Sequence, residues 1–287
     1  MNNFKEALEI KLELGGQEFV FRTNDYAFQA DGNCTIQCGE TIMLATAGMG
    51  NARPDLGFFP LMVDFQEKFY AAGRLKHSRV NKREGRPSDQ GILNSRMVDR
   101  PIRPLFPKGM VNDVQILLTP LAFDKEHELS AMGITAASTA LMLSGIPFDG
   151  PCAGVKVALI DGEIITNPTL SQLENSDLDL VVAGTENAIT MVESVANEVD
   201  FDTMLKALEM AHKDIVELCK VQRQLAEKLG VEALEPTLKL PDEKLVALVS
   251  EKVDYSKLLE ITVPTKKALK KELKVLLAEL EEKLINE

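Results

Sequence analysis

Residues 8–22 alternate apolar and polar side chains around Gly15-Gly16, the pattern of two strands joined by a tight turn. Asp31-Gly32 marks another turn, after which 34–38 and 41–46 read as short strands. A further apolar strand is predicted over 58–65. Beyond a polar stretch punctuated by Gly and Pro, 88–97 opens a helix capped by Ser88, and 114–118 returns to strand character. Residues 131–143 are rich in Ala, Met and small residues and are closed by Gly145-Ile146-Pro147, which predicts a buried helix. Strands are predicted again over 155–160, 164–165, 178–183 and 191–195, with Asp161-Gly162 as a turn.

From residue 202 the period changes. Met204, Leu205, Leu208, Ala211, Ile215, Leu218, Val221, Leu225 and Leu229 keep one apolar face over several helical turns, and Gly230 stops them. Mixed strands and helices over 1–230 predict one α/β domain. Two prolines mark 231–241 as a linker, and 242–287 reads as part of an all-helical domain. Asp242 caps one of its helices and Thr265, after Pro264, opens another. Leu269, Leu273, Leu276, Leu277, Leu280 and Leu284 form an apolar stripe there. Two amphipathic helices bury little area alone, so this tail is expected to pack on another surface.

Composition adds mainly exclusions. No apolar run approaches the roughly 20 residues that cross a bilayer. The first residues lack the pattern of a signal peptide, so a cytoplasmic protein with no membrane partner is expected. Cys34, Cys38, Cys152 and Cys219 are scattered, as reduced thiols are, and Cys34/Cys38 has no second pair or nearby His for zinc.

Charge changes the picture more. The chain carries a formal net charge of -12, which argues against general coating of nucleic acid. Residues 74–108 nevertheless hold ten Lys/Arg against three acids, a local excess of seven positive charges. Such an island suggests a polyanion site, although a solvated charged surface has the same composition.

Specific motifs sharpen that choice. Tyr70-Ala-Ala-Gly-Arg74, Lys82-Arg-Glu-Gly-Arg-Pro-Ser88, Asp99-Arg-Pro-Ile-Arg-Pro-Leu-Phe-Pro107, Leu143-Ser-Gly-Ile-Pro147 and Asp179-Leu-Val-Val-Ala-Gly-Thr185 resemble, in order, the first core of bacterial polynucleotide phosphorylases. The resemblance runs to about residue 225 and continues into something like that family's helical middle domain. It implies an RNase PH-like α/β fold (the ribosomal protein S5 domain 2-like type) followed by an all-helical segment. It also implies a homotrimeric ring around single-stranded RNA. The implied reaction is phosphorolysis: inorganic phosphate attacks the 3′-terminal linkage and releases a nucleoside diphosphate, with Mg²⁺ held by carboxylates. The implied role is mRNA degradation.

On the same resemblance, His77, Arg79, Lys82, Arg83, Arg86 and Arg74 are expected to contact RNA. Arg96, Arg100 and Arg103 are candidates for stabilising phosphate or RNA near the active site, as guanidinium geometry suits phosphate. Two departures matter. Val80-Asn81 stands where many relatives carry paired aromatics, so RNA grip leans on charge rather than stacking. The family also keeps its phosphate cradle and metal carboxylates on a second RNase PH-like core, expected here on the same or a separate polypeptide. In the first core, Glu128-Leu129-Ser130 stands where a catalytic core opens its buried helix with serines, and Leu173 and Val181 replace an acid and a lysine. Asp177 and Asp179 remain as weak metal candidates. No catalytic residue is assigned to this chain, and neither Mg²⁺ nor phosphate is expected to bind it tightly alone. A non-catalytic RNA-binding ring and a stand-alone phosphorolytic nuclease are the alternatives.

Overall fold

The computed structural model describes residues 7–75, 85–253 and 255–285. The chain divides into two compact units, Met1–Leu238 and Lys239–Glu287.

In the first unit the predicted hairpin is β1 (Leu8–Leu14) and β2 (Gln17–Thr23), turned at Gly15 and Gly16, both with positive φ. β3 (Gly32–Cys38) and β4 (Thr41–Ala52) continue antiparallel. β5 (Leu61–Phe65) is shorter than predicted: Phe58 is exposed and lies before the strand. A helix, α1 (Asp89–Ile102), leads to β6 (Asn112–Ala122), which pairs parallel with β5 and antiparallel with β4. These strands make one sheet in the order β1-β2-β3-β4-β6-β5. A second, all-antiparallel sheet has the order β10-β9-β7-β8, from β7 (Ala153–Ile160), β8 (Glu163–Thr166), β9 (Leu178–Gly184) and β10 (Ile189–Ala196). A short helix, α3 (Leu170–Leu173), precedes β9, and α4 (Phe201–Leu229) follows β10.

The helix α2 (Leu129–Ser144) lies between the two sheets, against β3 and β4 on one side and β7 on the other, with α1 and α4 beside it. This position explains its sequence. A helix covered all round has no use for a polar stripe, and small residues let backbones approach. A Cβ on Gly32 would lie 2.1 Å from the Ala140 carbonyl oxygen, and one on Gly154 2.8 Å from that of Ala131. The buried polar groups here are satisfied. Ser138 donates to Gln222 Oε1 (2.7 Å) and accepts from Cys152 N–H (2.8 Å), while Gln222 donates to the Cys152 carbonyl (2.9 Å). All four cysteines are buried and free, and burial pushes each thiol up to about 12.

Residues 231–238 stay with this unit. Leu234 N–H donates to Gly145 O, Val111 N–H to Thr237 O, and Thr237 N–H to Asn112 Oδ1. The second unit is helical: α5 (Glu243–Lys252) capped by Asp242, α6 (Tyr255–Leu259), and α7 (Lys266–Ile285) with Thr265 accepting from Ala268 N–H. None of its described residues is buried. Leu273, Leu276, Leu277 and Leu280 line an open groove with Val253 and Leu258. Among the described residues no helix is long and apolar enough to cross a membrane.

Candidate nucleic-acid and phosphate site

Local sequence sets where the α1 arginines point. Ser88 caps the helix by accepting from Gly91 N–H (3.1 Å), and Arg96 and Arg100, four apart, share a face. Pro101 sits in the last turn, followed by a short turn of 3₁₀ helix, Arg103–Leu105.

The three arginines have different fates. Arg103 donates from Nε and Nη2 to both oxygens of Asp99 (3.0 and 2.7 Å) and from Nη1 and Nη2 to the carbonyls of Phe59 and Leu61 (3.2 and 3.1 Å). Its guanidinium also lies over the Phe59 ring. With those donors committed, it clamps α1 to the start of β5. Arg100 pairs with Glu193 of β10 at 2.9 Å, both about half exposed. Arg96 is exposed and has no partner among the described residues.

A wider pattern appears across the chain. Of the eight described arginines, Arg22, Arg53, Arg100, Arg103 and Arg223 each have a carboxylate partner. Arg74, Arg86 and Arg96 have none among the described residues, and all three lie in the basic island. Arg74 and Arg86 line one open cleft. His77, Arg79, Lys82 and Arg83, and the Val80-Asn81 departure, lie outside the described residues.

The start of α2 is built differently. Glu128 is its N-cap, and its carboxylate accepts from Ser130 N–H (3.0 Å), Ala131 N–H (3.1 Å) and the Ser130 hydroxyl (2.6 Å). Those amides are the groups that an anion would use at a helix N-terminus. The chain fills the place with its own carboxylate. On β7, Lys156 lies two residues from Gly154 and so on the same strand face. It is 8% exposed, and it lines with Glu128 a cavity of about 30 Å³, room for about one or two waters. Its ammonium is paired with Asp179 of β9.

Asp124 closes the neighbouring turn. It accepts from Thr41 Oγ1 (2.8 Å) and from the N–H groups of Glu126 (2.8 Å), His127 (3.0 Å) and Glu40 (3.2 Å), with His127 Nδ1 at 2.6 Å. Burial pushes the Asp124 carboxyl up, but these hydrogen bonds outweigh it and hold it well below the usual carboxylate range. The third histidine, His212, contacts Thr185 O.

Asp177 and Asp179 do not fit a Mg²⁺ site. Asp179 faces the Lys156 ammonium, and Asp177 Oδ1 accepts from Asn197 Nδ2 (3.1 Å). Among the described residues no three His, Cys, Asp or Glu side chains converge on a point that would hold a metal. Sequence reasoning missed Lys156 as the partner of Asp179. The signal was present as a lone lysine inside the apolar run Gly154-Val-Lys-Val-Ala-Leu159, since a buried cation needs a counter-charge.

Residues 16–147 match the model of the 3′ exoribonuclease family, domain 1, and residues 150–214 match its domain 2. The chain belongs to the 3′ exoribonuclease family. The first match holds β2 to β6 of the larger sheet with α1 and α2, and the second begins just before β7. Proteins named polyribonucleotide nucleotidyltransferase are similar to it: 43% identical over 270 residues in Nitratidesulfovibrio vulgaris (94% of this chain, 36% of the relative), and 45% over 248 residues in Thermus thermophilus (86% and 35%). The likeness read from the motifs is borne out. The chain spans about a third of the length of the curated relatives it matches. Rice (Oryza sativa) Rrp46 has the same fold, with a TM-score of 0.56 at 13% identity over 78% of this chain and 96% of that one. The expected RNase PH-like α/β core, followed by a helical segment, is what the chain forms.

Proposed function

We propose that this chain is the first RNase PH-like core, with part of the helical domain, of a polyribonucleotide nucleotidyltransferase. The whole enzyme degrades RNA from its 3′ end by phosphorolysis. This core supplies RNA contacts and ring surface, and a second RNase PH-like core, on the same or a separate polypeptide, supplies the phosphate seat and the carboxylates for Mg²⁺. The assembly is a homotrimeric ring that takes single-stranded RNA in mRNA degradation in the cytoplasm.

One observation carries the division of labour: the Glu128 carboxylate occupies the amides of α2 where an attacking phosphate would need to sit. A second anion there meets like charge and finds its donors taken, and the nearest buried cation, Lys156, is already neutralised by Asp179. The same features argue against a stand-alone nuclease. Positive charge without partners among the described residues remains at Arg74, Arg86 and Arg96, and with His77, Arg79, Lys82 and Arg83 these residues carry the proposed RNA contacts. Arg100 joins them by exchanging Glu193 for phosphate, while Arg103 holds α1 in place.

The test is phosphate-dependent release of ADP from oligo(A) with Mg²⁺, by this chain alone and with a second-core polypeptide added. Release only after addition is expected. Release by this chain alone would overturn the assignment of chemistry to the second core. RNA binding in a stable ring that no second core activates would instead mark a scaffold.

A further inference from the structure

The cleft that Arg74 and Arg86 share has two further features that the basic motifs do not explain. Its volume is about 780 Å³, within the roughly 300–1,000 Å³ of small-molecule sites. Its wall also includes Phe123 and Lys125, from the turn after β6, which lie outside the basic island.

This wall is held firmly. Phe123 N–H donates to Ala71 O (2.8 Å), tying it to the turn that leads to Arg74. Lys125 follows the anchored Asp124, adopts a left-handed conformation (φ 68°), is exposed and has no ion-pair partner among the described residues. The far wall is tied too, because Glu67 accepts from Ser88 N–H (3.2 Å), two residues after Arg86. The cleft acids are already engaged, Glu67 by that amide and Asp64 by Gln66 Nε2 (3.2 Å), and neither neutralises Arg74, Arg86 or Lys125.

We propose that this cleft seats one nucleotide, with Arg74, Arg86 and Lys125 on its phosphate and Phe123 against its base. Three cations lining one cleft, without a carboxylate partner among the described residues, suit a phosphate, and an aromatic wall beside them suits a base rather than inorganic phosphate alone. The nucleotide is either a unit of single-stranded RNA or a free nucleoside diphosphate, since both carry the same two groups. The RNA case rests on the proposed function, and it adds Lys125 and Phe123 to the residues that grip the substrate.

Calorimetric titration of oligo(A) and of ADP into the wild-type chain, Lys125→Gln and Phe123→Leu, over a salt series, tests this. Lys125→Gln removes an exposed charge with no ion-pair partner among the described residues, so it leaves folding intact and stands as evidence even if Phe123→Leu is destabilised. Lys125→Gln is expected to weaken binding about threefold or more and to reduce the oligo(A) salt slope by about one. Phe123→Leu is expected to weaken binding about fivefold or more with the slope unchanged. Loss confined to oligo(A) identifies a unit of RNA; loss for ADP identifies a free nucleotide. Both variants binding both probes like wild type would overturn the proposal. If Arg86→Gln still weakened oligo(A) in that case, the proposed function would stand without the nucleotide seat. A wild-type chain that bound ADP but not oligo(A) would sink the RNA-binding reading and leave the cleft.

Discussion

The start of α2 and the cleft beside the basic island are both rich in charge, and they treat it in opposite ways. At α2 every charge meets a partner within the fold: Glu128 meets backbone amides, Lys156 meets Asp179, and Asp124 meets His127 and four further donors. At the cleft Arg74, Arg86 and Lys125 stand without partners among the described residues, although the chain has acid to spare. The difference shows which charges build the molecule and which are left for a ligand. A carboxylate cradled by amides or paired with a buried cation has already met its desolvation cost, so it offers little to a second ion. An unpaired exposed guanidinium keeps its full capacity for phosphate.

Substitutions can break or sharpen this contrast. The largest effect is expected from Asp124→Ala, which strands Thr41, His127 and several amides in a half-buried turn. It should cost about 3 kcal/mol in urea unfolding. The same residue sets an acid limb. Its folded pKa lies below that of the unfolded chain, so its stabilisation is complete above about pH 4 and fades as pH falls further. Unfolding midpoints measured from pH 5 down to pH 2 should converge for wild type and Asp124→Ala.

A smaller effect is expected from Glu128→Gln, which keeps a capping oxygen but removes its charge. The loss should be about 1 kcal/mol, with no gain in phosphate-dependent activity because the cap still fills the amides. Measurable turnover by that variant alone would mean that charge was all that closed the site. On turnover the smallest effect belongs to Asp179→Asn, although leaving the buried Lys156 ammonium without its counter-charge costs stability. Turnover of the assembled enzyme should stay near wild type, and a folded variant with no turnover would place Asp179 in the chemistry.

Much of this was legible in the sequence where local chemistry decides. Ser88, Gly145, Gly230, Asp242 and Thr265 mark helix ends because caps and stops act over a few residues. Bounds slipped where tertiary pairing decides. β6 runs through Pro120 to Ala122, and its pairing with β4 shifts register between Ile42 and Met43. α1 continues through Pro101 because its last turn is fastened by Arg103 to Asp99 and the start of β5. The helix α3 was missed although its Thr169–Gln172 capping box is visible in the sequence. The parallel pairing of β5 with β6 had no local signature. At the candidate site, the family motifs named the arginines but not their partners. The clamping of Arg103, the Lys156–Asp179 pair and the wall at Phe123 and Lys125 all join residues far apart in the chain.

The most direct measurement is the salt dependence of oligo(A) binding for two variants side by side, Arg74→Gln/Arg86→Gln and Lys156→Met. The account predicts that the first lowers the slope by about two and weakens binding, while the second binds RNA as wild type does and loses only stability. An unchanged slope in the double variant, or a lowered slope in Lys156→Met, would contradict it by placing the RNA at α2 rather than at the cleft.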